Sequence, residues 1–276
     1  MKKIMKKFSV GFVGLSHLGI IYSLASVEKG FLVHGYDEDK NISDRLNNFE
    51  NIIYEDGVKK ILKKNFKEKN IIFSNNIKNL SDCKIVFISK DVPTNNQGQS
   101  DTKIIIKLIN KVTKNLNKKI IIVILSQVSP GFTRKIKWPH NKLYYQVETL
   151  IFGKALDRAL NQERIIIGSK TSGQKIELFY KEYLKSFNAP IIKMNYESAE
   201  LAKISINMLL ISNITISNYL STICAKIGAD WLSIIPSLRL DKRIGKHSYI
   251  EPGLGLTGGN LERDIYTLEK ISKKLK

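Results

Sequence analysis

The chain has 276 residues, 43% of them hydrophobic and 25% charged, a balance that excludes wholesale disorder and fits one large or two modest domains. Its 45 Lys+Arg against 25 Asp+Glu leave a formal net charge of +20. The lysines are dispersed and aromatics do not interleave with them, which argues against nucleic-acid binding as the main role and leaves an anionic ligand open.

Cys83 and Cys224 lie too far apart in sequence to suggest a metal site, and two thiols make no disulfide framework, so a reducing cytoplasm is expected. His17, His34, His140 and His247 show no ligand pairing; surface or loop positions are expected for them, and no metal. No uninterrupted apolar run approaches the ~20 residues of a bilayer span. The basic start, Met1 to Lys7, precedes an apolar stretch broken at once by Gly11, Gly14, Ser16, His17 and Gly19, so a strand entering a glycine turn is expected there instead of a signal peptide.

Phe8–Val13 predicts a strand, Leu18–Glu28 a helix ended by Gly30, and Phe31–Tyr36 a second strand stopped by Asp37, which together form a βαβ unit. Asp56–Lys69 has helical character with a lysine-rich outer face. Ile71–Phe73 and Ile85–Ser89 read as buried strands. Ile104–Leu116 is an amphipathic helix with Ser100-Asp101 as its expected N-cap. Ile120–Leu125 has the continuous Ile/Val character of a strand buried on both faces, and Leu143–Val147 and Arg164–Ile167 supply later strands. The alternation predicts an α/β fold built on a doubly wound, mostly parallel sheet.

The character changes after Pro190. Glu197–Ala225 contains neither Pro nor Gly and predicts one helix of ~29 residues, about 43 Å long. Its apolar positions spread beyond a narrow stripe, so it is either buried within its own chain or, the better reading, the contact helix of a homodimer. Gly228 stops it, a helix over Trp231–Ser237 follows, and a Pro/Gly-rich tail closes on a short helix. The expected domains are 1–193, with the sheet, and 194–276, a small helical dimerisation region.

Gly11, Gly14, Ser16 and Gly19 fall between a strand and a helix, where a dinucleotide pyrophosphate meets the first free amides. Ser16 stands where the motif's second glycine would let the backbone approach the phosphates. Asp37, about 20 residues on, is where an acid takes the adenosine ribose hydroxyls and favours NAD over NADP. These features predict a Rossmann-like dinucleotide-binding fold with NAD as cofactor.

With further motifs in order, the chain resembles the UDP-glucose/GDP-mannose dehydrogenase family almost end to end. Val86–Thr94 is similar to the family strand ending in Val-Pro-Thr, and Asp101 fits the acid opening the next helix. Ser126–Arg134 resembles the Ser-Thr-Val-Pro-Pro-Gly loop, and Glu148–Gly168 the segment opening Pro-Glu-Phe. Glu200-Leu-Ala-Lys203 through Asn207 matches the central-helix motif; Asp241–Gly245 and Pro252–Asp264 match the loop that carries the family's cysteine. The resemblance implies cofactor contacts from Gly11, Gly14, Ser16, His17, Leu18, Gly19, Asp37, Thr94, Gln127 and Arg263. It implies nucleotide-sugar contacts from Glu148, Lys203, Asn207, Arg243, Tyr249, Gly255 and Gly258. Family members oxidise a sugar C6 alcohol to a carboxylate in two NAD-dependent steps. Lys203 and Asn207 would hold the C6 oxygen and Asp264 would work with them on the proton.

The chain also departs from the family. Asn260 stands at the position of the cysteine that captures the aldehyde, Gln127 at that of the loop threonine, and Phe152 at that of a glutamate; Glu262 and Arg263 replace a proline and a lysine. The chain stops at Lys276 where family enzymes continue into a nucleotide-binding domain. Complete oxidation to the uronate is therefore not expected. The alternatives are a dehydrogenase that stops at the aldehyde, a degenerate NAD-binding dimer with a regulatory role, and a basic scaffold on an anionic polymer. A solvated polar stripe would place Lys203 and Asn207 alike, though their setting in Glu-Leu-Ala-Lys makes descent from the family site the better account; Asp264 could form a structural ion pair with Arg263 or Lys203.

Overall fold

The computed structural model describes residues 7–50, 53–95, 98, 100–253 and 259–275. They form two compact units, 1–92 with 102–203 and 93–101 with 204–276.

The first unit is built on an eight-stranded sheet. Its strands are β1 (Ser9–Val13), β2 (Leu32–Tyr36), β3 (Ile71–Ser74), β4 (Ile85–Ile88), β5 (Ile121–Ile124), β6 (Leu143–Gln146), β7 (Ile165–Ser169) and β8 (Ile191–Asn195). Their spatial order is β3-β2-β1-β4-β5-β6-β7-β8, and every pair is parallel except β6–β7. The helices are α1 (His17–Glu28), α2 (Lys40–Asn47), α3 (Val58–Lys67), α4 (Lys103–Asn115), α5 (Ala155–Leu160), α6 (Leu178–Lys185) and the start of α7 (Tyr196–Ile227). This is the expected doubly wound sheet.

β4 and β5 are buried on both faces, as their unbroken Ile/Val/Phe runs require. One core layer joins Phe12, Ile20, Phe87, Val123, Tyr180 and Tyr183; the other joins Val86, Ile88, Ile105, Val112, Ile122 and Tyr145. Each fully buried large apolar side chain contributes about 1.5–3 kcal/mol of transfer free energy. Phe12 stacks on Phe87 at a centroid distance of 4.9 Å, across the β1–β4 pair.

Four expectations need correction. β3 is an edge strand and not a fully buried one, so Ile72 is 45% exposed while Ile71 and Phe73 are buried. The N-cap of α4 is Thr102 and not Ser100-Asp101, because the helix opens at Lys103. His34 lies within β2, where burial lowers its pKa; it is neither a loop nor a fully exposed residue. The closing helix is not short: α9 runs from Gly259 to Leu275, 17 residues with Leu268 and Ile271 among its charged positions.

The second unit contains most of α7, then α8 (Trp231–Leu240) and α9. Gly228 stops α7 at φ +77°, and Asp230 caps α8 through Leu232 N and Ser233 N. Its buried cluster comprises Cys224, Trp231, Ile235 and Ile250, with Trp231 Nε1 donating to Ile250 O at 3.0 Å. Leu209, Ile216 and Tyr219 on α7 are 68%, 50% and 63% exposed. Among the described residues α7 is the one helix long and apolar enough, by length and composition, to cross a membrane.

Candidate functional site

β1 delivers the chain to Gly14, where φ is +94°. A Cβ at Gly14 would lie 2.5 Å from Lys90 Cβ and 2.8 Å from the Lys90 backbone, so the turn can pass the end of β4 only as glycine. Gly19 lets α1 close onto that turn, since a Cβ there would sit 2.0 Å from Gly14 O. Ser16 has φ −84°, a region open to every residue, and introduces no backbone strain. Its Oγ accepts from Asp91 N at 2.8 Å and donates to Ser89 O at 3.3 Å, which ties it to the end of β4. Gly11 is set apart from this cradle: it lies inside β1, where a Cβ would meet Leu80 Cδ2 at 2.8 Å. Its absent side chain serves strand packing, not the phosphate turn.

Asp37 follows β2 and is 5% exposed. Its Oδ2 accepts from Leu15 N at 2.8 Å and Lys90 Nζ at 3.0 Å, and its Oδ1 accepts from Asp39 N at 3.2 Å. A turn closed to side chains, the first turn of a 12-residue helix and an acid after β2 are the parts a dinucleotide needs, so this cradle fits one. The amide of Leu18 donates a long bond, 3.4 Å, to Asp91 Oδ2. His17 Nε2 lies 3.0 Å from Glu55 Oε1, and its ring meets Phe152 at a centroid distance of 4.7 Å. Glu55 also accepts from Gly153 N and Ala155 N; although desolvation would raise its pKa, these bonds and His17 hold it below its ordinary value.

A second polar group lies in the same unit. Lys203 Nζ pairs with Glu148 Oε1 at 2.7 Å, with side chains 11% and 16% exposed, and Glu148 Oε2 accepts from Leu150 N. The lysine's partner is thus Glu148, and Lys203 is not part of a solvated stripe. Three residues earlier on α7, buried Glu200 accepts from Gly131 N at 2.6 Å and Thr133 N at 2.8 Å. Burial pushes the Glu200 carboxyl above its usual range against those two bonds. Glu200 therefore anchors the 126–134 loop that carries Gln127, and Arg134 adds an ion pair to Glu197. In the sequence Glu200 is marked only by its place at the head of the Glu-Leu-Ala-Lys motif.

In the second unit, Asn207 Nδ2 donates to Asp264 Oδ2 at 2.6 Å, and both residues are buried. Arg263 Nε stands 3.5 Å from Asp264 Oδ1. Thr94 forms an isolated bridge with Ser100, and Asp101 N donates to Pro93 O. Arg243 is 88% exposed at its side chain and pairs with Asp241, two residues away; Tyr249 is 47% exposed. Asn260 lies on the first turn of α9, and Gly255 and Gly258 lie outside the described residues. Neither cysteine is an exposed thiol: burial pushes Cys83 up to about 12, and Cys224 is buried against Trp231 and Ile235.

Three comparisons bear on these groups. The profile of the UDP-glucose/GDP-mannose dehydrogenase family NAD binding domain matches residues 8–186, and that of the family's central domain matches 197–276. The UDP-glucose 6-dehydrogenase TuaD of Bacillus subtilis is 29% identical over 279 residues, covering 98% of this chain and 59% of that protein. An uncharacterized protein of Methanocaldococcus jannaschii is 30% identical over 267 residues, covering 93% of this chain and 30% of its own length. A UDP-glucose dehydrogenase from Pyrobaculum islandicum shares the fold with a TM-score of 0.87 at 24% identity, covering 100% of this chain and 66% of that one. The chain thus spans less than two thirds of the length of these relatives. It belongs to the UDP-glucose/GDP-mannose dehydrogenase family, with the family's NAD-binding domain over 8–186 and its central domain over 197–276.

Proposed function

We propose that this chain oxidises a primary alcohol of a nucleotide sugar with NAD and stops at the aldehyde. The buried Asn207–Asp264 pair carries this reading: a carboxylate held at 2.6 Å by an amide, with no apolar replacement of either, inside the family's central domain. Lys203, one helical turn before Asn207 on α7, keeps its ammonium on Glu148. In this reading Asn207 holds the alcohol oxygen and Asp264 receives its proton, while the carbon gives up a hydride and the C=O bond forms. The Gly14–Gly19 turn and Asp37 would hold NAD, which would supply the hydride acceptor. The amide of Asn260 cannot add to the aldehyde carbon as a thiolate does, so no covalent adduct forms and a second hydride has no route.

Stoichiometry tests this. With NAD in excess and each candidate UDP- or GDP-sugar limiting, one NADH per sugar is expected; two would overturn the assignment of Asn260. No NADH from any sugar, with NAD binding verified in the same preparation, would favour the second reading, a cofactor-binding homologue without turnover. The changes at Gln127, Phe152 and Asn260 are what favour that reading.

The exposed Leu209, Ile216 and Tyr219 support a further part of the proposal, that α7 pairs with a second copy of the chain. Spacings of seven and three residues bring them to one side of the helix, a seam suited to an antiparallel or parallel helix pair.

A further inference from the structure

We propose that Phe152 is a stacking face for the nicotinamide ring of the dinucleotide, on the side of the cradle opposite Asp37. The proposal rests on reading the Gly14–Gly19 turn as a dinucleotide site. A dinucleotide whose pyrophosphate meets the start of α1 sends one nucleoside to each side of β1. In the sheet, β2 and β4 flank β1 on opposite sides, with β5 and β6 beyond β4. Asp37 follows β2 and marks the adenosine side. The segment 147–154 follows β6 and returns from the other side to the first residue of α1, His17. What it presents there meets the nicotinamide half.

That segment presents a ring on a tethered corner. Lys154 N donates to Ile151 O at 3.0 Å and closes a tight turn with Gly153 at φ +80°, which puts Phe152 at the corner. Glu55, whose side chain is 2% exposed, accepts from Gly153 N at 2.8 Å and Ala155 N at 3.1 Å, and lies 3.0 Å from His17 Nε2. The earlier part of the segment is held too: Arg158 Nε donates to Thr149 O and Leu150 N to Glu148 Oε2, both at 2.9 Å. One buried carboxylate thus fixes the turn to the head of α1, whose free amides suit a pyrophosphate.

Phe152 is nevertheless 76% exposed. Its ring meets His17 at 4.7 Å between centroids with the planes inclined by 43°, and most of its surface is left free. Along the chain it stands between Glu148, which pairs with Lys203, and Gly153, which is tied to the cradle through Glu55. The nicotinamide hangs from the pyrophosphate and must face the reacting alcohol, so it occupies the same interval. A flat ring with apolar faces gains from an aromatic surface already held in place, because the contact buries both and orders little. The resemblance puts a glutamate at this position; Phe152 exchanges the hydrogen bonds of a carboxylate for ring contact.

Calorimetric titration of the full chain with NADH and with ADP-ribose, which lacks the nicotinamide, tests the assignment without any sugar substrate. Phe152→Ala should weaken NADH binding about fivefold or more, the scale of one lost ring stack, and leave ADP-ribose binding within about twofold of wild type. Retained ADP-ribose binding also shows that the cradle of this variant is folded. Phe152→Tyr, which keeps the ring, should hold NADH binding within about twofold. NADH binding unmoved by Phe152→Ala overturns the proposal. So does an equal loss for both ligands, which would make the ring a prop for the turn. Binding of neither ligand by the wild type overturns the reading of the cradle itself, and this assignment with it.

Discussion

The sheet unit and the helical unit bury their apolar residues in contrasting ways. In the first, β4 and β5 lie under helices on both sides, and Phe12, Ile20, Phe87, Ile122 and Val123 are fully buried. In the second, the buried cluster is Cys224, Trp231, Ile235 and Ile250, while Leu209, Ile216 and Tyr219 on α7 point to solvent. One unit satisfies its hydrophobic pattern internally; the other presents part of its pattern outward. Folding stability should therefore be concentrated in the sheet, and association in the helix.

The largest effect should come from the sheet. Phe87→Ala removes a fully buried ring stacked on Phe12 and 4.9 Å from Tyr183, and should cost about 3–5 kcal/mol in denaturant unfolding. A cost under about 1 kcal/mol would show that this core is not the stabilising one. Next, Ile216→Asp on the exposed face of α7 should weaken self-association at least about tenfold in sedimentation equilibrium, with little change in the unfolding of the isolated chain. A species distribution identical to wild type would break the comparison at its helical end.

The smallest effect belongs to the surface charges of the sheet unit. Lys107 and Lys111 depress the Glu38 carboxyl, so the native state favours its ionised form. A depressed carboxyl contributes stability above its unfolded value of about 4.3 and loses it as pH falls through the lower folded value. Glu38→Gln should thus cost under about 1 kcal/mol at neutral pH, because the lysines are partly solvated, and the difference should vanish in acid. A difference that grows toward low pH would have the wrong sign for this pairing.

Legibility from sequence followed burial. The β1–α1–β2 unit was readable because its apolar residues alternate with clear punctuation at Gly14, Gly30 and Asp37. β8 was not, since Ile192 and Lys193 are exposed at the sheet edge and its pattern resembles a loop. α2 buries only Ser43 and Leu46, and α5 is six residues long, so neither shows a helical stripe. The polar groups divide in the same way. Lys203 and Asn207 lie within one helical motif, but the partners that hold them, Glu148 and Asp264, are 55 and 57 residues away. Lys90 showed no signal at all, because its partner is Asp37, 53 residues earlier and two strands away in the sheet.

The burial of Cys83 has a consequence for how the protein meets its chemical surroundings. A thiol pushed to about 12 is almost wholly protonated at neutral pH, and a protonated, enclosed sulfur reacts slowly with peroxide, disulfides or alkylating agents. Cys224 is enclosed as well and position 260 carries an amide, so neither thiol of the sequence is presented to oxidants. Where an exposed thiolate would be lost to an oxidative burst, both thiols of this chain should survive it.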